Sequence, residues 1–392
     1  MTISSLLGGM SPEQFLRDYW QKKPLLIRQA IPGYQSPITP NELAGLSLEE
    51  DIESRLILEH GSHPWELRRG PMAEDAFQDL PERDWTLLIQ AVDQIVPELS
   101  ELMREFSFLP HWRKDDLMIS YAVPGGSVGP HYDNYDVFLL QAEGHRRWKL
   151  GQRCDDHSPL LEHPDLRILQ DFEQTDEWVL EPGDMLYIPP GIAHWGIAED
   201  HCMTFSVGFR APSHAEILLH YTDYASQQLG DSQRYSDADA TPCDDPSRID
   251  EASIDRLQAI LRPLLEDREA LAAWFGRHMT EARYPELLNP AEIDPQDLLQ
   301  HLQSGGALLR HPSARLAWHL GNSNLKLFAS GEHCVLPTSL LPLVQLVCNE
   351  DWLDADRLLP WQADPQAMTL LVQLLGKGDL LMESEDDEGC AD

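Results

Sequence analysis

The pattern of apolar and polar positions divides the chain into stretches of different character. It opens with a helix signal: Ser11 stands as N-cap, Pro12 at the first helical position and Glu13 in the first turn, followed by Phe15, Tyr19 and Trp20 at helical spacing. After Lys23-Pro24 the period shortens to that of a strand in "LLIRQAI". The run from Arg83 to Phe106, "RDWTLLIQAVDQIVPELSELMREF", repeats apolar residues at three and four and predicts helical segments. From about Asp116 to Arg210 the runs become short and β-rich, separated by Pro and Gly turns: "DLMISYAVP", "HYDNYDVFLLQA", "HRRWKLG", "EWVLEPGDMLYIPP" and "HCMTFSVGFRAP". Such spacing predicts an antiparallel barrel or sandwich.

Beyond Ala211-Pro212 the strands stop. "HAEILLHYTDYASQQL" and "SRIDEASIDRLQAILRPLLEDREALAAWFGRHM" read as amphipathic helices on either side of an Asp-rich loop, "YSDADATPCDDP". The last hundred residues mix helix-like and strand-like pieces. "NLKLFASGEHCVL" predicts a hairpin turning at Ser330-Gly331, "SLLPLVQLVCN" a buried helix, and the set together a winged-helix-like module. "MESEDDEGCAD" predicts a disordered acidic tail. The expected organisation is α+β, with a barrel domain over 1–212 (an extension to about 90, then the core over about 91–212), a helical region over 213–290 and the winged-helix-like domain over 291–392.

Composition changes this picture in several respects. The 392 residues include 42% hydrophobic side chains and eleven tryptophans, enough for several well-filled cores. The N-terminus has no basic region ahead of its short apolar run, and nowhere do eighteen apolar residues follow one another, so neither a signal peptide nor a membrane span is expected and the cytoplasm is the expected location. The six cysteines contain no C-x-x-C pair and read as free thiols. A formal net charge of -37 disfavours direct nucleic-acid binding and suits a basic partner, although a soluble acidic surface accounts for it equally well. Residues 291–392 carry five Lys/Arg against sixteen Asp/Glu, so the winged-helix-like module is not expected to bind DNA.

The candidate chemistry begins in "GPHYDNYDVF". In a strand, residues two apart face the same way, so His131 and Asp133 would present an imidazole and a carboxylate to one metal. The pair alone is weak, because His163-Pro164-Asp165 repeats the spacing around a proline in a turn-like setting. A third donor comes from "EPGDMLYIPPGIAHWG", where Gly183, Pro189 and His194 mark a turn, a strand, a second turn and a histidine on the next strand. Gly126 and Gly129 precede His131 in the same layout. Two histidines and one aspartate on one face form the facial triad of non-haem Fe(II) oxygenases, with positions left open for a co-substrate and dioxygen. In "HRRWKL", Arg146 shares a face with Trp148 and Leu150 and so points inward, where it needs an anion, either an acidic co-substrate or an internal carboxylate. Ser120 shares a face with Met118 and Ala122 and could donate to the same anion. Cys202, Thr204, Ser206 and Gly208 form a small polar face suited to lining a cavity or to a tight interior.

Taken together, "YWQKKPLLIRQA", "LPHWRKDDLMISYAVPGGSVGPHYDNYDVFLLQAEGHRRWKLG", "EPGDMLYIPPGIAHWG" and "SVGFRAP" resemble the bacterial JmjC-type ribosomal oxygenases, in particular those that hydroxylate an arginine of large-subunit ribosomal protein L-sixteen. The resemblance covers about the first two hundred residues by motif and the rest by layout. It implies a JmjC/cupin double-stranded β-helix (jelly-roll) core, Fe(II) held by His131, Asp133 and His194, and 2-oxoglutarate gripped by Arg146 and Ser120. It also implies dioxygen as second co-substrate, a basic ribosomal protein as substrate, and a homodimer formed through the helical region. Tyr132 and Asn134 fill variable positions, and His145 replaces a basic residue usual there. Two alternatives stay open: the same chemistry on a histidine or asparagine of another protein, and a metal-holding cupin without turnover.

Overall fold

A computed structural model describes residues 6–59, 65–242, 244–322 and 324–383. These residues fall into two compact units that divide between Ala211 and Pro212. In the first unit, helix α1 (Pro12–Asp18) is capped by the Ser11 side chain, which accepts from the Gln14 N–H, and it buries Phe15. Strands β1 (Leu25–Ile27), β2 (Ser54–Glu59), β3 (Trp65–Arg69), β4 (Trp85–Ile89), β5 (Lys114–Ala122), β6 (Val137–Glu143), β9 (Met185–Ile188) and β11 (Cys202–Phe209) form one antiparallel sheet ordered β1-β9-β6-β11-β5-β4-β2-β3. A smaller sheet orders β10 (Ile192–Ala198), β7 (Arg146–Arg153) and β8 (Asp176–Leu180).

Alternation along β6 shows how the sheets share the interior. Phe138, Leu140 and Ala142 enter the large core that α1 and α2 (Pro40–Leu46) help to cover, whereas Val137 and Leu139 pack against Trp148, Leu150, Leu180, Leu186 and Ile188 of the smaller cluster. Because both faces are buried, β6 reads as a nearly continuous apolar run. Along β11, Met203, Phe205, Val207 and Phe209 join the large core, leaving Cys202, Thr204 and Ser206 buried on the other face.

Two expectations need correction. The run from Arg83 to Phe106 is not helical throughout: β4 occupies Trp85–Ile89, a single 3-10 turn Val92–Gln94, and only Pro97–Arg104 is α-helix, α3. Leu87, Leu88 and Ile89 are all buried because β4 lies between β2 and β5, and a strand apolar on both faces is indistinguishable by period from a short helix. Nor does "HYDNYDVFLL" form one strand. His131 makes an isolated bridge to His194, and regular pairing begins only at Val137.

In the second unit, α4 (His214–Ser226) starts with a capping box between Ser213 and Glu216; α5 (Glu251–Glu266) and α6 (Arg268–Thr280) follow. Helices α7 (Pro295–Gln303), α8 (Leu341–Asn349), α9 (Ala355–Leu358) and α10 (Pro365–Gly376) pack with two three-stranded sheets around a core of Leu298, Leu316, Leu343, Val347 and Leu371. The hairpin of β12 (Leu325–Ala329) and β13 (Glu332–Leu336) turns at Ser330 and Gly331, both at positive φ, as a two-residue turn matched to strand twist requires. Cys154, Cys202, Cys334 and Cys348 are free thiols; Cys243, Cys390 and the acidic stretch from residue 384 lie outside the described residues. No helix among the described residues is long and apolar enough to cross a membrane.

Candidate metal centre

The loop entering β6 and strand β10 bring His131, Asp133 and His194 together, with one donor atom of each within 4.8 Å of the others. Backbone geometry sets the convergence. The His131 N–H donates to the His194 carbonyl at 3.0 Å and the His194 N–H to the His131 carbonyl at 2.8 Å, so the histidines face each other as a bridged pair with ring centroids 4.2 Å apart. The Gly191 N–H donates to the Asp133 carbonyl at 2.8 Å. Gly129 makes the approach at φ +81°, where a Cβ would press on Ile168 and Trp65.

Each imidazole is oriented alike. Nδ1 of His131 lies 2.9 Å from the Gly129 carbonyl, and Nδ1 of His194 lies 3.0 Å from the Ile192 carbonyl. A carbonyl can only accept, so in the neutral rings Nδ1 carries the proton and Nε2 keeps its lone pair. His194 is buried, and burial, followed by the neighbouring His131, lowers its pKa to about 4. Its Nε2 stands 3.6 Å from an Asp133 carboxylate oxygen. Two neutral imidazoles with fixed tautomers and one carboxylate suit a divalent first-row metal, and the 2-His-1-carboxylate set is the one that leaves positions free on Fe(II). The residues present therefore fit the metal.

Next to this centre lies a buried cation. Arg146 is 2% exposed; its Nη1 donates to the Ser120 hydroxyl at 3.2 Å and Nη2 to the Gly196 carbonyl at 3.3 Å, while Nε has no partner. Among the described residues it makes no ion pair, which leaves the internal-carboxylate reading without support. Burial pulls its pKa down, so the site holds a charge at a cost that an incoming anion would offset. Its guanidinium sits 5.2 Å from the Trp148 ring centroid, and Trp148 sits 6.0 Å from His194, so these three side chains form a short continuous wall. Gln141 and Thr204 are also buried, hydrogen-bonded to each other at 3.1 Å.

Sequence reasoning missed Gly196 at this wall. A Cβ there would stand 2.7 Å from Arg146 Nε and from two Trp148 ring carbons, so only glycine lets the guanidinium lie against β10. A glycine inside a strand pattern, "HWGIA", was the available signal. It also missed Tyr135, a large aromatic still 42% exposed that hydrogen-bonds the Asp133 side chain. The other histidine-x-aspartate ends differently: His163 Nε2 is 2.8 Å from the Trp65 carbonyl, its Nδ1 accepts from the Asp165 and Leu166 N–H groups, and Asp165 pairs with Arg69.

Comparison with known proteins agrees with this geometry. Residues 101–217 match the JmjC domain and residues 263–380 the ROXA-like winged helix. The chain is 36% identical over 368 residues to the ribosomal protein uL16 3-hydroxylase of Escherichia coli, spanning 93% of this chain and 95% of that protein. It is 37% identical over 338 residues to a probable ribosomal oxygenase of Haemophilus influenzae, 82% of each. The crystal structure of E. coli ycfD superposes with a TM-score of 0.87 at 34% identity, over 95% of this chain and 98% of that one. The same relative in complex with cobalt and 2-oxoglutarate gives 0.85, also at 34% identity, over 96% and 99%. With the jelly-roll core, the winged helix and this identity over nearly its whole length, the chain belongs to the JmjC ribosomal oxygenases, a family of Fe(II)- and 2-oxoglutarate-dependent hydroxylases.

Proposed function

We propose that this chain hydroxylates the β-carbon of an arginine in large-subunit ribosomal protein L-sixteen, holding Fe(II) with His131, Asp133 and His194 and 2-oxoglutarate with Arg146 and Ser120. The observation that carries the reading is the buried Arg146, which makes no ion pair among the described residues and lies against Trp148, itself next to His194. A cupin that merely stores metal has no use for such a cation. When bound, iron and 2-oxoglutarate supply the oxidising power to place one atom of dioxygen on a C–H bond, with succinate and carbon dioxide as the other products.

The protein's part is placement. The Nε2 atoms of His131 and His194 and the Asp133 carboxylate would hold the metal. The guanidinium of Arg146 and the Ser120 hydroxyl would fix the far carboxylate of the co-substrate. The net charge of -37 acts at longer range, drawing a basic protein and repelling nucleic acid.

The helical region supports a homodimer. Helix α5 buries none of its residues, yet Ile254, Leu257, Ile260, Leu261 and Leu265 are all more than 40% exposed. An amphipathic helix with its apolar stripe in water calls for a partner of the same kind. The expected solution species is the dimer, and Leu257→Glu with Leu261→Glu should give monomers in sedimentation velocity.

The decisive test of substrate is intact-mass analysis of large-subunit ribosomal proteins from cells with and without this gene. The expected difference is the mass of one oxygen atom on L-sixteen, mapped to an arginine. The same increment on a histidine or asparagine of another protein would keep the chemistry and overturn the target.

A further inference from the structure

Between the isolated His131–His194 bridge and the start of regular pairing at Val137, Asp133 must be held still without a strand. On one side the Gly191 N–H binds the Asp133 carbonyl. The other side ends in Asp136, whose side chain is fully buried and serves no role in the chemistry above. Its carboxylate accepts from three side chains of three separate segments: the Tyr187 hydroxyl on β9 at 2.6 Å, Gln21 Nε2 just past α1 at 3.0 Å, and Arg113 Nη2 ahead of β5 at 3.0 Å. Its carbonyl also accepts from the Phe209 N–H at the end of β11.

The donors are themselves fixed. The Gln21 N–H donates to the Tyr187 hydroxyl at 2.8 Å, so Gln21, Tyr187 and Asp136 close a circuit. Gln21 reaches it only by adopting φ +57°, a left-handed conformation that glutamine rarely takes unless the surroundings compel it. Trp20 stacks on Tyr187 with centroids 5.8 Å apart, and the Arg113 guanidinium lies 5.6 Å from the Trp20 ring. A buried carboxylate meeting one guanidinium and two neutral donors is satisfied on both oxygens, and removing any donor leaves it short.

We infer that Asp136, clamped by Gln21, Arg113 and Tyr187, is a positioning residue that fixes the Asp133-bearing loop and makes the N-terminal segment part of the metal centre. The inference rests on the triad holding the metal. The clamp touches no donor atom of that triad. It acts through the two residues between Asp133 and Asp136, so it governs how tightly the preformed donor set binds metal, not which residues bind it.

The test uses full-length apoprotein and Co(II) as probe, with affinity read by chelator competition and geometry by the ligand-field bands. Asp136→Asn replaces an acceptor by a donor facing Arg113 and Gln21 at unchanged volume. Tyr187→Phe deletes the hydroxyl that links the circuit but keeps the ring packing. Gln21→Gly removes the side-chain donor at a φ that glycine adopts freely, which makes it the variant least able to unfold the protein. Co(II) affinity is expected to fall about tenfold in Asp136→Asn and several-fold in the other two, with altered bands. Wild-type affinity and bands in all three variants would overturn the inference. So would a lower melting temperature with Co(II) binding unchanged at low temperature, because a merely structural role produces that result. Failure of the triad reading is distinct: wild-type protein would then show no Co(II) bands that vanish in His131→Ala.

Discussion

The chain contains two histidine-x-aspartate stretches of identical spacing, and the structure gives them opposite fates. At His163-Pro164-Asp165 both ring nitrogens are used, one toward the Trp65 carbonyl and one by the N–H groups that follow, and the aspartate is spent on Arg69 at the surface. At His131-Tyr132-Asp133 the imidazole uses only Nδ1, toward the Gly129 carbonyl, and the donor atoms of His131 and Asp133 converge with that of His194. A residue type and a spacing do not make a ligand. What does is a backbone that satisfies one nitrogen of each imidazole and turns the other toward a carboxylate within reach of both.

The largest expected effect would break that comparison if it failed. His131→Ala, Asp133→Ala or His194→Ala should each weaken Co(II) or Fe(II) binding by more than about a hundredfold, whereas His163→Ala and Asp165→Ala should leave it within about twofold, as measured by chelator competition. Next comes the cation. Arg146→Met removes a charged, buried donor and should raise the 2-oxoglutarate requirement about ten- to a hundredfold with metal affinity unchanged, read from succinate formation against co-substrate concentration. An unchanged requirement would mean another cation serves.

Gly196→Ala sharpens the same point from the side of packing. Its Cβ would meet Arg146 and Trp148 at 2.7 Å, so the variant should lose about 1–3 kcal/mol of stability and several-fold in co-substrate affinity. Thermal melting and 2-oxoglutarate titration check both. The smallest effect belongs to the second histidine: His163→Ala should cost about 1–2 kcal/mol through its lost bonds to the Trp65 carbonyl and the following N–H groups, lowering the melting temperature by a few degrees without touching turnover.

These contrasts indicate how much a single sequence reveals. The inward turn of Arg146 was legible because β7 alternates cleanly, burying Arg146, Trp148 and Leu150 and leaving Arg147 and Lys149 partly exposed. The winged-helix hairpin was legible because Ser330-Gly331 supplies two positions of positive φ. β4 was not, because its apolar faces both lie buried and the period of Leu87-Leu88-Ile89 fits a helix as well. The non-strand path of Asn134 to Asp136 was hidden too, since it depends on donors from Gln21, Arg113 and Tyr187, up to 115 residues away in the chain. Long-range satisfaction of a buried carboxylate leaves no local pattern to read.

The account rests on the triad and Arg146 acting as one site for iron and 2-oxoglutarate. Anaerobic titration of the apoprotein with Fe(II) and 2-oxoglutarate, followed by the visible charge-transfer absorption of the chelate, tests that most directly. The predicted result is a band saturating at one equivalent in the wild type and in Asp165→Ala, absent in Asp133→Ala, and shifted to much higher 2-oxoglutarate concentration in Arg146→Met. A band that persists in Asp133→Ala, or that never forms in the wild type, would contradict it.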